Sequence, residues 1–410
     1  MDLRTRTAAE RPDIPGSNNL RNTNVAALLQ DLRRIGPMAR KQLCQSTGIS
    51  FTTVTRLCTG LIESGVLAEL DPRTSPVAGR RRAGRPETPL EFAQGGRLIA
   101  SVHIRADSTT CAVVDLTGTE VTRGEFVHGE ETDPHRLVAR GAAMTRDVLS
   151  GLSAERVLGI GVAIGGVVDN QLRTVRDFPL RDWPELDLGA AWDPLGFPVL
   201  VDSSVRSLAL MELWDREREI GDSSLTVMVA GVVDSAVIVD RRLRRGPGAS
   251  AGNIRHFPVA GGPGEICSCG RRDCLSTLVS NRALHARAVR VGALPADVPW
   301  NAPVEGYTDS PRMARLRRER AEWLGESLGA LVEVINPDTT VIAGYLGTED
   351  DVAHVLATAQ RRCMATLGRD GGDIQYRPLP PSTWDRASAS LVLDDFLRHP
   401  TRYESGLLSV

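Results

Sequence analysis

Residues 251–274 have the sequence AGNIRHFPVAGGPGEICSCGRRDC, in which one histidine is followed closely by three cysteines. Three thiolates and one imidazole can complete a tetrahedron around zinc and leave no coordination position open for water. The intervening glycines allow the backbone to double back, because a residue without Cβ tolerates turn conformations. The pattern predicts a structural zinc site formed by His256, Cys267, Cys269 and Cys274.

Two other interpretations of this stretch stay open. The cysteines could be free thiols that are close by chance. Against this, three of the seven cysteines in the chain lie between residues 267 and 274, near a histidine. A catalytic zinc is less favoured, because such sites usually keep one position for water.

The composition is that of a soluble globular protein, with 41% hydrophobic and 24% charged residues. A length of 410 residues predicts about two to three domains. The net charge of −2 means that any nucleic-acid binding must come from a local basic patch. No stretch approaches the ~20 apolar residues of a membrane span, and the N-terminus lacks the apolar run of a secretory signal. We therefore expect a cytoplasmic protein with reduced or metal-bound cysteines.

The N-terminal region changes character near residue 19. Residues 1–18 are polar and contain proline, which predicts a disordered tail. Helical spacing of apolar residues, glycines at segment ends and a serine cap predict a small domain over residues 19–72. The predicted segments are helices at 19–35, about 40–46 and 51–64, then strands at 66–70 and 88–92. Three helices followed by a hairpin are typical of a winged helix-turn-helix.

In that motif the second helix of the pair enters the major groove, with its N-terminal residues at the base edges. The small or basic residues near the start of the third helix are therefore the predicted base or phosphate contacts: Ser50, Thr52, Thr53, Thr55 and Arg56. The apolar residues Phe51, Val54, Leu57 and Leu61 are expected on its buried side. The alternative is a three-helix protein-interaction module.

A basic linker or wing is predicted over residues 73–96. Its segment 79–86, GRRRAGRP, places arginines in a loop rich in glycine and proline. Such arms commonly enter a minor groove, whose negative potential attracts arginine. The candidate contacts to phosphate or minor groove are Arg40, Arg81, Arg82 and Arg85. A solvated linker without a nucleic-acid role is the alternative.

From residue 97 the chain alternates short β-branched runs with turns and amphipathic helices. The order of three strands, helix, strand, helix, strand and helix is that of a ribonuclease-H-like lobe, and a second such lobe follows. The sequence thus predicts an α/β protein with a two-lobed, actin-like ATPase fold behind the winged helix. The first lobe is assigned to residues 97–205 with a closing helix at 387–398, and the second, with the zinc site, to residues 206–386.

Over residues 19–398 the chain resembles the ROK family of repressors, uncharacterised reading frames and sugar kinases. The segments GNIRHFPV and CSCGRRDCL are similar to the family's Gly-Glu-Ile-Gly-His and Cys-x-Cys-Gly-x-x-Gly-Cys-x-Glu signatures. The resemblance implies that the family's zinc ligands correspond to the four residues named above. The N-terminal helices and the segment GRPETPL resemble the repressor branch of the family, whereas the kinases lack the DNA-binding domain.

The positions that correspond to the family's phosphate loops have changed. The first loop, Asp-x-Gly-x-Thr, aligns with His103, Arg105 and Asp107. An arginine cannot replace a glycine where backbone must approach a phosphate. The second loop, Gly-Thr-Gly-Ile-Gly, aligns with AGVVD at 230–234, whose Asp234 would repel a phosphate.

The positions that correspond to the catalytic base and the sugar contacts have changed as well. The kinases' Asn-Asp pair aligns with Ser203 and Ser204, and a serine hydroxyl has no useful basicity near neutral pH. Asn253 and Ser276 stand where the family has sugar-binding glutamates, and Arg255 could fill the sugar pocket. These losses predict a protein that is not an enzyme.

The resulting hypothesis is a DNA-binding transcriptional regulator, expected to be a repressor, with a degenerate sugar-kinase region. We expect a homodimer or homotetramer on a double-stranded operator, and no membrane association. A sugar or sugar-phosphate effector could bind at Asp202, Ser203, Ser204, Asn253 and His256. The alternatives are an active sugar kinase with a DNA-binding domain and a regulator that binds no sugar.

Overall fold

The computed structural model describes residues 17–71, 88–179, 181, 183–218, 220–301 and 310–403. The chain forms two compact units, one comprising Met1–Gly96 and Asp394–Val410 and the other Arg97–Leu393. Among the described helices, none combines the length and apolar character that crossing a bilayer would require.

The first unit is mixed α/β. Its three-stranded antiparallel sheet has β3 between β1 and β2, and β1 is a short strand that the sequence pattern did not predict. The unit's core is built from aliphatic side chains of all three helices, including Leu28, Leu43 and Leu57. Its elements are α1 (Ser17–Ile35), β1 (Met38–Ala39), α2 (Arg40–Thr47), α3 (Phe51–Glu63), β2 (Leu67–Glu69) and β3 (Pro89–Phe92).

The turn between α2 and α3 has a direct chemical cause. Gly48 ends α2 with φ of 72°, a left-handed conformation that favours glycine. Ser50 then caps α3, accepting a hydrogen bond from the backbone N–H of Thr53 at 3.3 Å. The prediction that Phe51 is buried is wrong, because its side chain is 59% exposed. As the first residue of α3, it projects toward the helix N-terminus, beyond the reach of the buried stripe.

The end of the chain completes the first unit. The side-chain amide of Gln30 in α1 donates to the carbonyl oxygen of Leu397 at 2.9 Å. Asn22 accepts hydrogen bonds from the backbone N–H of Thr401 at 3.2 Å and from its hydroxyl at 2.8 Å. The first helix therefore depends on residues more than three hundred and fifty positions away in sequence.

The first half of the second unit contains a five-stranded sheet and a small accessory sheet. Its elements are β4 (Leu98–Ile104), β5 (Ser108–Asp115), β6 (Glu120–Val127), α4 (Pro134–Leu149), β7 (Val157–Ile164), β8 (Val167–Asp169), β9 (Thr174–Asp177), β10 (Leu186–Asp187), β11 (Val199–Ser203) and α5 (Ser204–Trp214). The large sheet has the order β11-β7-β4-β5-β6, with β7 parallel to both of its neighbours. The accessory sheet β10-β9-β8 was not predicted, because its strands are only two to four residues long.

The second half repeats the arrangement of a sheet and helices. Its sheet has the order β14-β13-β12-β15-β16, with β15 parallel to both neighbours. Its elements are β12 (Ser224–Val229), β13 (Val233–Val239), β14 (Arg242–Arg244), α6 (Leu275–Val279), α7 (Asn281–Arg290), α8 (Pro311–Ile335), β15 (Thr339–Gly344), α9 (Glu349–Leu367), β16 (Asp373–Arg377) and α10 (Thr383–Arg398). The two five-stranded sheets share one strand order, as predicted. Among the described residues, however, no α-helix lies between β7 and β11, where the predicted lobe has one.

Helix α10 packs against the first of these sheets at a point where the strand has no side chain. A Cβ at Gly161 of β7 would lie 2.1 Å from the carbonyl oxygen of Ser388 in α10. No side chain can be accommodated at that distance unless the backbone moves. Gly161 therefore allows the helix to approach the sheet.

Candidate functional site

The four predicted metal ligands converge in the second lobe. One donor atom from each of His256, Cys267, Cys269 and Cys274 lies within 4.8 Å of the others. Nδ1 of His256 is 3.4 Å from Sγ of Cys267, and the Sγ atoms of Cys269 and Cys274 are 3.6 Å apart. Such separations suit one ion at the centre, with bonds of about 2.0–2.3 Å to nitrogen and sulfur.

Backbone hydrogen bonds hold the cysteines in this arrangement. The N–H of Cys267 donates to the carbonyl of Arg271 at 2.8 Å, and the N–H of Gly270 donates to the carbonyl of Cys267 at 2.9 Å. Gly270 has φ of 84°, which a glycine adopts without strain. Cys274 then lies directly before α6, so the cluster is tied to a helix as well as to the turn.

The surroundings of the cluster shift the pKa values of two of its thiols in opposite directions. Hydrogen bonds from Arg271, first its backbone N–H and then its side chain, lower the pKa of exposed Cys269 to about 6. Burial raises the pKa of Cys274 to about 12. Burial also lowers the pKa of His256, which favours the neutral imidazole that can ligate a metal. The donor set fits a zinc ion, whose positive charge would favour the thiolate form of Cys274.

Between the two lobes of the second unit, Asp202 is buried at the end of β11 and fully engaged. Its Oδ1 accepts hydrogen bonds from the N–H of Ser203 at 2.8 Å and from Nε of Arg206. Its Oδ2 accepts from Nε of Arg245 at 3.0 Å. Both oxygens of Asp202 are therefore occupied by donors of the protein itself.

Arg206 is itself held from three sides. Besides Asp202, it donates to the carbonyl oxygen of Ala249 and, at 2.6 Å, to that of Val168. Its side chain is 4% exposed. The arginine therefore connects the first lobe's β8 to the loop that follows β14.

Ser204 points toward the first strand of the lobe. Its hydroxyl is 3.0 Å from Nε2 of His103, whose ring stacks on Trp384 with centroids 4.2 Å apart. Burial lowers the pKa of His103 to about 3, so the imidazole is neutral at physiological pH. A base this weak cannot activate the serine for nucleophilic attack at neutral pH.

The two turns that align with the phosphate loops form hydrogen bonds within themselves. In the β4–β5 turn, Arg105 donates to the hydroxyl of Ser108 at 2.6 Å and lies 3.4 Å from Asp107. In the β12–β13 turn, the N–H of Ala230 donates to the carbonyl of Val232 at 2.9 Å. That N–H is consequently unavailable to an incoming phosphate.

A narrow cleft lies between β8, β11, β13 and the loop after β14. Asp234 lies in this cleft, 9% exposed, and one of its oxygens accepts from the N–H of Ser235 at 2.9 Å. Its other oxygen receives no hydrogen bond from any residue that the structure describes. Burial raises the pKa of Asp234 to about 7.

The five predicted effector contacts are not brought together. Ser203 and Asn253 line the cleft, whereas Asp202 is engaged by arginines, Ser204 faces His103, and His256 belongs to the metal cluster. Asp234 also lines the cleft. The sequence had predicted only that this residue would repel a phosphate.

The suggestion that Arg255 fills the sugar pocket is not supported by its contacts. Its side chain donates to Asp177 of β9 at 2.7 Å.

The predicted nucleic-acid contacts of the first unit have different surroundings. The hydroxyls of Ser50 and Thr53 lie 2.9 Å apart in the cap of α3, and the buried hydroxyl of Thr55 has no described hydrogen-bond partner. Arg40 pairs with Glu69 at 2.8 Å. Thr52 and Arg56 are exposed. The last three predicted contacts lie outside the described residues: Arg81, Arg82 and Arg85.

The ROK family model matches residues 99–389, a range that contains both the cysteine cluster and the cleft. The chain belongs to the ROK family. This confirms the family inferred from the zinc-loop motifs.

Two proteins similar to this chain are named as regulators. A transcriptional regulator of Mycobacterium tuberculosis (strain ATCC 25618 / H37Rv) is 30% identical over 360 residues, which cover 82% of this chain and 77% of the relative. The xylose repressor of Bacillus subtilis (strain 168) is 23% identical over 410 residues, covering 94% of this chain and 98% of the repressor.

Solved ROK structures show the same fold. A ROK family transcriptional regulator, a homologue of the Escherichia coli MLC protein, matches with a TM-score of 0.73 at 18% identity, covering 94% of this chain and all of that one. A ROK glucokinase from Streptomyces griseus, in complex with glucose and AMPPNP, matches with a TM-score of 0.59 at 22% identity. That match covers 72% of this chain and 99% of the kinase.

Proposed function

We propose that this ROK protein is a DNA-binding transcriptional repressor that has lost sugar-kinase activity. The observation that carries the proposal is the pair α2 and α3, joined at Gly48 and capped at Ser50, with the first turn of α3 open to solvent. Together with the sheet β1-β3-β2 this is the composition of a winged helix-turn-helix. The names of the relatives support the same function.

The charge of the helix pair fits DNA. Helices α2 and α3 carry Arg40, Lys41 and Arg56, and their only acidic residue is Glu63 at the far end of α3. Of these cations, Lys41 and Arg56 are exposed, so they can neutralise phosphates and release counterions. We assign DNA binding to residues 19–72 with the basic linker 73–96, and the two ROK lobes to 97–205 with 387–398 and to 206–386.

The loss of kinase activity follows from the surroundings of the base position. Phosphoryl transfer requires a base on the acceptor hydroxyl and a cradle for phosphates. Ser204 is hydrogen-bonded to a neutral histidine, and Asp202 is neutralised by Arg206 and Arg245. Both side chains are therefore already engaged within the protein, which supports the loss of the catalytic base.

We further propose that the cluster of His256, Cys267, Cys269 and Cys274 holds a structural zinc ion. A complete set of four protein ligands leaves no position for substrate. The ion would fix the loop 256–274 and the start of α6. Its effect on DNA binding would therefore be conformational.

An effector, if the cleft takes one, would be neutral. Asp234 presents an oxygen with no described hydrogen-bond donor, so a ligand hydroxyl can supply that hydrogen bond. At a pH above about 7, where Asp234 is ionised, a phosphate in the same place would be repelled. The narrow cleft makes a repressor without any sugar effector the alternative. We expect a homodimer, or a homotetramer of such pairs, on a two-fold operator.

The test combines a DNA-binding assay with a kinase assay on the full-length protein. A footprint on its own promoter region should show a protected two-fold site. The affinity of the protein for this site should fall steeply between about 50 and 200 mM salt, because phosphate contacts release counterions. A sequence-independent affinity, or none at all, would contradict the proposed function.

The kinase assay uses ATP, Mg²⁺ and a panel of hexoses and N-acetylhexosamines, and should show no turnover. Turnover that disappears in Ser204→Ala or Asp202→Ala would establish the sugar-kinase alternative.

A further inference from the structure

Helix α3 begins with an exposed aromatic side chain that no folding argument requires. Phe51 is 59% exposed, whereas Val54, Leu57, Cys58 and Leu61 of the same helix are buried. Exposing a side chain of this size forgoes roughly 1.5–3 kcal/mol of burial free energy. More than half of the residue is thus accessible to a partner of the unit.

The neighbours of Phe51 indicate the chemistry of that partner. The exposed side chains nearest to it in α3 are those of Thr52 and Arg56, and Lys41 of α2 is also exposed. The hydroxyls of Ser50 and Thr53 hydrogen-bond to each other, and that of Ser50 also accepts from the N–H of Thr53. An exposed apolar ring on a helix pair that also carries exposed cations fits a polyanion that presents apolar groups as well.

Duplex DNA has this combination in its major groove. The 5-methyl group of thymine is the only apolar group on the base edges there, and it is recognised by apolar contacts, including those of phenylalanine. The N-terminal residues of the second helix of a helix-turn-helix are the ones that reach base edges. Phe51 is the first residue of that helix.

We propose that Phe51 is a specificity-determining residue that packs on the 5-methyl group of a thymine in each operator half-site. This inference rests on the proposed DNA-binding function and adds a base preference to it. Arg56, one and a half turns further along α3, would contribute phosphate or base contacts without selecting for the methyl group.

The test removes the methyl group from DNA and the ring from the protein. The full-length protein first selects its site from a randomised duplex library. Each thymine of the selected site is then replaced singly by deoxyuridine, which differs only in lacking the methyl group. Dissociation constants are measured by fluorescence anisotropy for the wild type and Phe51→Ala.

One thymine per half-site should be sensitive in the wild type. Loss of its methyl group should weaken binding about fourfold, the factor that corresponds to the ~0.8 kcal/mol of one buried methylene. Phe51→Ala should bind thymine and deoxyuridine sites equally at that position, and should select sites with a weaker thymine preference there.

Ile35→Ala is the matched control, because Ile35 is 54% exposed in the same unit but lies at the end of α1. It should retain the sensitivity of the wild type. Phe51→Ala should keep the wild-type circular dichroism and melting temperature, since the ring is exposed. If it does not, Phe51→Leu, which keeps an apolar group, provides the comparison.

The outcomes separate this inference from the proposed function. Specific DNA binding without a methyl-sensitive thymine, or with equal sensitivity in Phe51→Ala, would refute the role of Phe51 and leave the repressor proposal intact. Absence of specific binding by the wild type would refute both.

Discussion

Replacing Arg206 tests whether the buried ion pairs of Asp202 with Arg206 and Arg245 stabilise the fold. In Arg206→Met the side chain keeps much of its length but loses its donors. The carbonyl oxygens of Ala249 and Val168 lose their hydrogen bonds from the guanidinium, and Asp202 keeps only Arg245 and a backbone N–H. Removing one partner of a buried pair costs ~3–5 kcal/mol.

The measurement is urea unfolding followed by tryptophan fluorescence. All six tryptophans lie in the second unit, so the signal reports that unit alone. At a slope of about 3 kcal/mol per molar urea, the expected loss lowers the midpoint by ~1–2 M. The control is Arg315→Met, because the ion pair of Arg315 with Glu319 is exposed on α8 and should contribute below about 0.5 kcal/mol.

A double-mutant cycle isolates the pair. Asp202→Asn alone leaves the buried guanidinium without its counter-ion, and should also cost ~3–5 kcal/mol. The double variant should cost less than the sum of the two by about 2 kcal/mol, because the second substitution removes a charge that is already unpaired. Additive effects, or a single-variant cost within the range of the Arg315 control, would refute a stabilising role of these ion pairs.

Three further predictions concern the other sites. Cys269→Ala should reduce bound zinc, measured by atomic absorption, from about one ion per chain to near zero, and should raise hydrogen exchange over residues 256–274; retention of the ion would show that this thiol is not a ligand. The carboxyl of Asp234 has its pKa raised to about 7, so the native state binds a proton more tightly than the unfolded state. Its stability relative to Asp234→Asn should therefore fall as pH rises from about 4 to 7 and level off above, and urea titrations that show a flat or rising difference would contradict this. Ser50→Ala should cost α3 about 0.5–2 kcal/mol through loss of the cap; faster amide exchange confined to the start of α3 is the expected signature, and unchanged exchange would argue against the cap.

Elements and clusters whose residues lie close together in sequence were predicted well. The first helix, predicted at 19–35, lies at Ser17–Ile35, and the third, predicted at 51–64, lies at Phe51–Glu63, because apolar spacing and end signals define both. The four cysteine-cluster residues were identified because metal ligands must be particular residue types at close spacing. Local chemistry alone determines such features.

Features that depend on tertiary contacts were not predicted. Nothing in the spacing of Asp202 shows that Arg206 and Arg245 neutralise it, because Arg245 comes from a different lobe of the unit. Phe51 continues the apolar pattern of α3 and was wrongly placed in the core, because periodicity does not show where a helix extends past its neighbours. Asp234 was recognised by its charge, but its burial came only from the structure.

The hydrogen bonds of Asn22 and Gln30 with Thr401 and Leu397 have a consequence for biosynthesis. The ribosome synthesises Asn22 and Gln30 early and adds Leu397 and Thr401 only after more than three hundred and fifty further residues. Prematurely terminated polypeptides would lack those partners and should be deficient in operator occupancy, so that chiefly full-length molecules compete for the promoter.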